Sequence, residues 1–344
     1  MVKFFNPGLI YKNHKKEFDS EIQRVLSAGD LILRGDVEKF EKTLAKFVGT
    51  KYAVGLNSCT DALYLALRGL GIGQGDEVLV PSRTFVATVQ VIIQVGATPI
   101  FYDLDGALTF TENTKAIIPV HIEGAFDINF QHVLDSAKAT GVYIIEDAAQ
   151  ALGAKQGKKM AGSFGVAGCF SFYPAKILGA FGDAGALVTN DKKLYEWVKG
   201  ARNHFKDTAE DYGVNSRCDN LQAAILNVKF QYYEQTLARR KEIAEMYQKG
   251  LSDIKELELP KHSEGRIWQD YICRTNKRDQ LFDYLNENGC EVLKNNYPFP
   301  VPKLPQAQAY ENETLRLPCS ETLTDEEVAE VITAIKQFFK KKEV

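Results

Sequence analysis

Seven short apolar runs, at 53–56, 77–81, 98–102, 116–120, 142–146, 168–172 and 185–189, alternate for the most part with longer stretches of helical periodicity. Strands separated by helices favour crossover connections, so the pattern predicts an α/β layer on a mainly parallel sheet. After about residue 240 the texture changes: 239–251 reads as a helix, 268–275 as strand-like, 280–288 as a helix and 325–339 as a closing amphipathic helix. We therefore expect a large domain over residues 1–240, with an N-terminal arm, and a smaller α+β domain over 241–344. At 344 residues and 45% apolar, the chain has enough material for a large core. The Pro-rich stretch 297–305 is too short and too aromatic for a flexible linker, and the lysines at 340–342 read as a solvated end.

Three segments carry chemistry. In Ser171-Phe172-Tyr173-Pro174-Ala175-Lys176, one lysine lies just past an apolar strand, in a turn of small residues. A lysine in a partly dry pocket loses its proton and can attack an aldehyde, whereas an exposed one remains a hydrated ammonium ion, the commoner case for a loop lysine. The run Val142-Tyr143-Ile144-Ile145-Glu146-Asp147 reads as a buried strand ending in a carboxylate, which either caps a helix or serves a site. Between the short strand ending at Leu56 and the helical run 62–67 stands Asn57-Ser58-Cys59-Thr60-Asp61. Small hydroxyl residues there leave free N–H groups at a helix start, fit for a phosphate or for an ordinary N-cap.

Together the three have one chemical sense. Pyridoxal phosphate (PLP) requires a lysine for its aldehyde, an acid for its ring nitrogen and a cradle for its phosphate. At these residues the sequence resembles the PLP-dependent sugar aminotransferases of the DegT/StrS family. The matching stretches are 57–67, 75–88, 119–121, 146–153, 171–185 and 213–217, in the family's order and within residues 20–240. The resemblance implies the fold type I architecture with a seven-stranded sheet. It also implies that Lys176 bonds the cofactor and that Asp147 pairs with its ring nitrogen. By the same match Gln150 lies beside the ring's phenolic oxygen and Phe85 stacks on the ring, although a core phenylalanine is the alternative for Phe85. The amides of Cys59 and Thr60 and the hydroxyls of Thr60 and Ser171 form the implied cradle. Asn215, in Gly213-Val214-Asn215-Ser216-Arg217, matches an asparagine that reaches the phosphate of a neighbouring subunit, so a homodimer with shared active sites is implied. Three positions depart from the family: Cys59 where glycine is usual, Ile177 where many members are polar, and Glu123 where an aromatic is common. The connection 103–114 is also short and is expected to lack a surface helix.

The expected activity is transfer of an amino group from an amino acid, glutamate, to a nucleotide-linked keto-sugar. The segment 173–183 is more similar to members that aminate C3 than to those that aminate C4. A PLP lyase or dehydratase would use much the same cradle, but the dehydratase branch replaces the lysine with histidine; a non-catalytic regulator would tolerate decay of the site. A net charge of −3, from 42 basic and 45 acidic side chains, gives no sign of nucleic acid or a membrane surface as partner. Residues 1–11 contain no long apolar stretch, and no run reaches the ~18 apolar residues of a membrane span, so a cytoplasmic protein is expected. The six cysteines include no C-x-x-C pair, which points to reduced, buried thiols rather than zinc or disulfides. The glycine-rich 69–75 follows a helix and reads as a turn, and 153–159 lacks the spacing of a P-loop.

Overall fold

The computed structural model describes residues 1–344 except 105, 262–264, 295–301, 303 and 341–344. Most of the Pro-rich stretch 297–305 and the lysines at 341 and 342 thus lie outside the described residues. The main sheet contains β1 (Tyr52–Leu56), β2 (Glu77–Pro81), β3 (Thr98–Tyr102), β4 (Thr114–Ile117), β5 (Tyr143–Asp147), β6 (Ala167–Ser171) and β7 (Gly185–Thr189). Their spatial order is β1-β7-β6-β5-β4-β2-β3. Pairing is parallel throughout except that β7 runs antiparallel to both β1 and β6.

Each expected run holds one strand, and the fourth departs most. Expected over 116–120, it ends at Ile117. Ile118 N–H still reaches the Leu79 carbonyl (2.8 Å), but Pro119 has no N–H to continue the ladder. No helix occurs among the described residues of 103–114.

Helices cover both faces, which is why β6 and β7 are apolar at nearly every position. On one face Cys59–Gly69, Val86–Gln94 and Lys192–Ala201 pack through Leu65, Ile92 and Val198 against Val54, Ile145 and Leu187. On the other, Gly35–Val48 and Asn220–Phe230 bury Phe40 and Leu226 with Phe172 and Val188. A separate core joins Tyr233–Leu251, Arg278–Glu287 and Asp325–Lys340 to a three-stranded antiparallel sheet of Tyr271–Arg274, Thr314–Leu317 and Leu293–Lys294. The helix Tyr233–Leu251 spans both cores: Tyr233 belongs to the first, Ile243 and Tyr247 to the second.

The topology gathers chain ends at one edge of the main sheet. Leu56 and Ser171 both lie opposite Gly185, and Asp147 lies opposite Cys169. In open α/β sheets this carboxyl edge is where ligands bind. The helix Cys59–Gly69 starts there in close contact: a Cβ on Gly185 would stand 2.2 Å from the Ser58 carbonyl carbon. Elsewhere, 69–75 is a turn in which Gly71 and Gly75 have positive φ, and 153–159 forms a short hairpin. All six cysteines are free and buried. Among the described residues, no helix is long and apolar enough to cross a membrane.

Candidate active site

Two adjacent acids end β5, and the strand's alternation sends them to different work. Glu146 accepts the N–H groups of Gly162 (2.8 Å), Phe164 (2.7 Å) and Gly165 (2.8 Å). His121 Nε2 completes it at 3.0 Å; the Asp127 N–H donates to Nδ1, so Nε2 carries the imidazole proton. Glu146 is therefore a structural acid that pins a loop.

Asp147 instead faces a cavity of about 540 Å³ at the sheet edge. Its Oδ2 accepts from Thr88 Oγ1 at 2.7 Å, its Oδ1 accepts the Ala149 N–H at 3.2 Å, and Cys59 Sγ lies 3.9 Å from Oδ1. Burial raises its pKa, a tendency that Thr88, the Ala149 N–H and Lys176 oppose. Lys176 lines the same cavity. Burial lowers its pKa, which favours the neutral, nucleophilic amine, while Asp270 pulls the other way. The turn that carries it is clamped by one side chain: Gln269 Oε1 accepts the Ile177 N–H (3.3 Å) and its Nε2 donates to the Ala175 carbonyl (3.1 Å).

Cys59, Thr60, Phe85, Gln150 and Ser171 line this cavity too. Ser58 caps the helix Cys59–Gly69 by accepting the Asp61 N–H, and the first-turn N–H groups of Cys59 and Thr60 have no intrahelical acceptor. Phe85 is 49% exposed, so it is no core phenylalanine. Gln150 Oε1 accepts the Glu123 N–H at 2.8 Å. Burial drives the Cys59 thiol well above its ordinary value, which keeps it neutral. Asn215 does not join the others: it is exposed, forms a bridge with Asn203 and does not line the cavity.

Further residues join the site that the sequence did not single out. Thr88, His121, Asp183, Gln269 and Arg316 all touch the site or its supports. Thr88 could have been found, because it sits in the first turn of the helix that follows Phe85, itself a cavity residue. Gln269 and Arg316 could not: no local pattern distinguishes them, and the second core brings them in.

The donor set fits PLP. A cavity of that volume suits a small ligand. Among the described residues no cation forms an ion pair with Asp147 and no acid with Lys176, so a buried carboxylate and a buried amine each await a partner in one cavity. A helix start with free N–H groups lies between strand ends beside them.

Comparison with known proteins agrees. The chain is 36% identical to the dTDP-3-amino-3,4,6-trideoxy-alpha-D-glucose transaminase of Streptomyces venezuelae, covering 98% of this chain and 96% of that one. It is 35% identical to the UDP-2-acetamido-2-deoxy-3-oxo-D-glucuronate aminotransferase of Pseudomonas aeruginosa, over 92% and 91% of the two chains. Its fold matches the crystal structure of S. venezuelae DesV in complex with a ketimine intermediate, with a TM-score of 0.93, 35% identity and 98% of each chain covered. The family model matches residues 12–336, and this chain belongs to the DegT/DnrJ/EryC1/StrS aminotransferase family, as a PLP-dependent aminotransferase.

Proposed function

We propose that this enzyme moves an amino group from glutamate to C3 of a nucleotide-linked 3-keto-sugar. The observation that carries the reading is the meeting, in one cavity beside a helix start, of Lys176 and Asp147, neither of which has an ion-pair partner among the described residues. The sugar class and the C3 position draw support from the two relatives, whose names carry a 3-amino and a 3-oxo sugar, and from the segment 173–183.

When bound, PLP supplies an aldehyde that takes up an amine and a ring that draws electrons from a carbon losing its proton. Lys176 Nζ would hold the aldehyde carbon and, once the donor amine displaces it, carry a proton to and from the substrate carbon as general base and acid. Asp147 would face the ring nitrogen and hold its proton. Phe85 would cover the ring, Gln150 would meet the phenolic oxygen, and Cys59, Thr60 and Ser171 would bind the phosphate. Arg316, held by Asp270 at 2.7 Å, is a guanidinium on the cavity wall and would meet an anionic group of a substrate. Asn215, exposed and outside its own cavity, would complete the phosphate site of a second copy.

A nucleotide sugar can present C3 or C4 after a small rotation of its ring. Misplacement by about an ångström costs ~100-fold in rate, so one position dominates even if both ketones bind. The test gives the enzyme glutamate with matched 3-keto and 4-keto nucleotide sugars and locates the new amine by NMR. We expect nitrogen at C3 and faster turnover of the 3-keto set. Nitrogen at C4 with faster 4-keto turnover overturns the position, and no amination of either set overturns the substrate class.

A further inference from the structure

Burial works against the charged form of Asp147, yet the charged form is the one that accepts a hydrogen bond from a protonated ring nitrogen. The strongest support for that charge comes from the helix Val86–Gln94. Thr88 is fully buried on that helix and places its hydroxyl 2.7 Å from Asp147 Oδ2. Thr84, 2% exposed, places its own hydroxyl 2.7 Å from that of Thr88. A threonine within a helix commonly turns its hydroxyl back to the carbonyl four residues earlier. Thr88 turns it to a carboxylate from another strand.

The direction of this chain follows from proton counting. Each hydroxyl has one proton, and an ionised carboxylate only accepts. The proton of Thr88 therefore goes to Asp147, and the proton of Thr84 fills the 2.7 Å contact between the two hydroxyls in preference to the Phe85 carbonyl, which lies 3.3 Å from Thr84 Oγ1. Donors in series polarise one another, and a hydrogen bond to a charged group is worth more than a neutral one. Thr84 also immediately precedes Phe85, which lines the cavity, so the relay ties two cofactor contacts to one short segment.

We propose that Thr88, backed by Thr84, is a positioning residue: the two hydroxyls hold the Asp147 carboxylate charged and fixed in orientation, and thereby set the protonation of the cofactor's ring nitrogen. The proposal rests on the assignment of Asp147 to that nitrogen. It does not depend on the sugar.

The test titrates apoenzyme with pyridoxal phosphate, reading the dissociation constant by fluorescence and the visible absorbance of the bound cofactor as a function of pH. Thr88→Val keeps the side-chain shape and removes the donor. It should weaken cofactor binding roughly tenfold, shift the absorbance profile and lower kcat while leaving KM for the keto-sugar unchanged. Thr88→Ser should restore most of each. Thr84→Val should show a smaller change of the same sign, and it serves as the probe if Thr88→Val does not fold. Wild-type binding and absorbance in Thr88→Val overturn the relay, as does a Thr88→Ser variant as impaired as Thr88→Val, because a serine that keeps the donor would then rescue nothing. Asp147→Asn is measured in parallel: if it alters neither binding nor spectrum, the assignment of Asp147 itself falls.

Discussion

On the Asp147 side of the cavity, the functional groups come from strand ends and a helix start of one sheet, and among the described residues Asp147 and Lys176 have no ion-pair partner. Around Glu123, in a separate pocket, the charged groups come from distant segments and pack against one another. Glu123 pairs with the Arg83 guanidinium, accepts the Tyr310 hydroxyl at 3.2 Å and lies 4.0 Å from Arg266. Arg83 in turn lies 3.9 Å over the Tyr310 ring. The backbone bends to allow this: Glu123 has φ 62°, and a Cβ on Gly124 would stand 2.1 Å from the Ile267 carbonyl oxygen. A non-glycine residue held at positive φ needs such over-determination. The contrast separates two groups with no ion-pair partner among the described residues from a carboxylate held against guanidiniums.

The largest effect should come from the unpartnered side. Lys176→Ala should fold normally and lose turnover by ~10⁴-fold, as removal of a general acid and base does. Mixed with Asn215→Ala chains, it should recover activity, because a mixed dimer unites both intact residues in one site. Retained turnover in Lys176→Ala would break the comparison at its root. A verified mixed dimer without recovery would remove Asn215 from the neighbouring site.

Glu123→Ala probes the ion-paired cluster, where the loss should appear as stability. Removing a carboxylate from beside two buried guanidiniums costs about 3–5 kcal/mol. Urea unfolding should show a lower midpoint, with Glu123→Gln less affected because it keeps a hydrogen-bond acceptor. A Glu123→Ala protein with the wild-type midpoint and little turnover would mean that this side takes part in the chemistry.

The same contrast explains what the sequence could disclose. Strand ends, a small-residue turn and a helix start are local patterns, so Asp147, Lys176 and the segment 57–61 could be read directly. The fate of Glu146 could not: it adjoins Asp147 in sequence, and only the loop Gly162 to Gly165, folded back over the sheet, makes it structural. Gln269 and Arg316 arrive through the second core, 93 and 140 residues beyond Lys176, and nothing in their neighbours marks them. Glu123 was legible only as a departure from the family; its partners Arg83, Arg266 and Tyr310 lie far apart in the chain. The fold was legible because its sheet is covered on both faces and its strands are therefore continuous apolar runs. The fourth strand was overextended because Pro119 interrupts a ladder whose apolar pattern continues.

The smallest effect concerns the back of the lysine turn and extends the comparison to a charge that is buried but not reactive. Lys229 Nζ donates to the Gly179 carbonyl at 2.5 Å and lies 4.9 Å from the centre of the Phe181 ring. Burial brings its pKa from 10.5 to about 8, with Glu321 opposing the change and Arg240 adding to it. Between those values the unfolded chain holds more protons than the folded one, so stability rises with pH across that window; below about 8 the cost of burying the charge is complete. Lys229→Met removes this titration. Relative to wild type, the variant should therefore lose about 2 kcal/mol between pH 7.5 and 9.5, read from urea unfolding at both values. Loss of the bond to Gly179 shifts both measurements by a similar amount and does not hide the trend. A stability difference equal at the two pH values would mean that Lys229 titrates at its ordinary value, and that packing rather than a buried charge holds the turn behind Lys176.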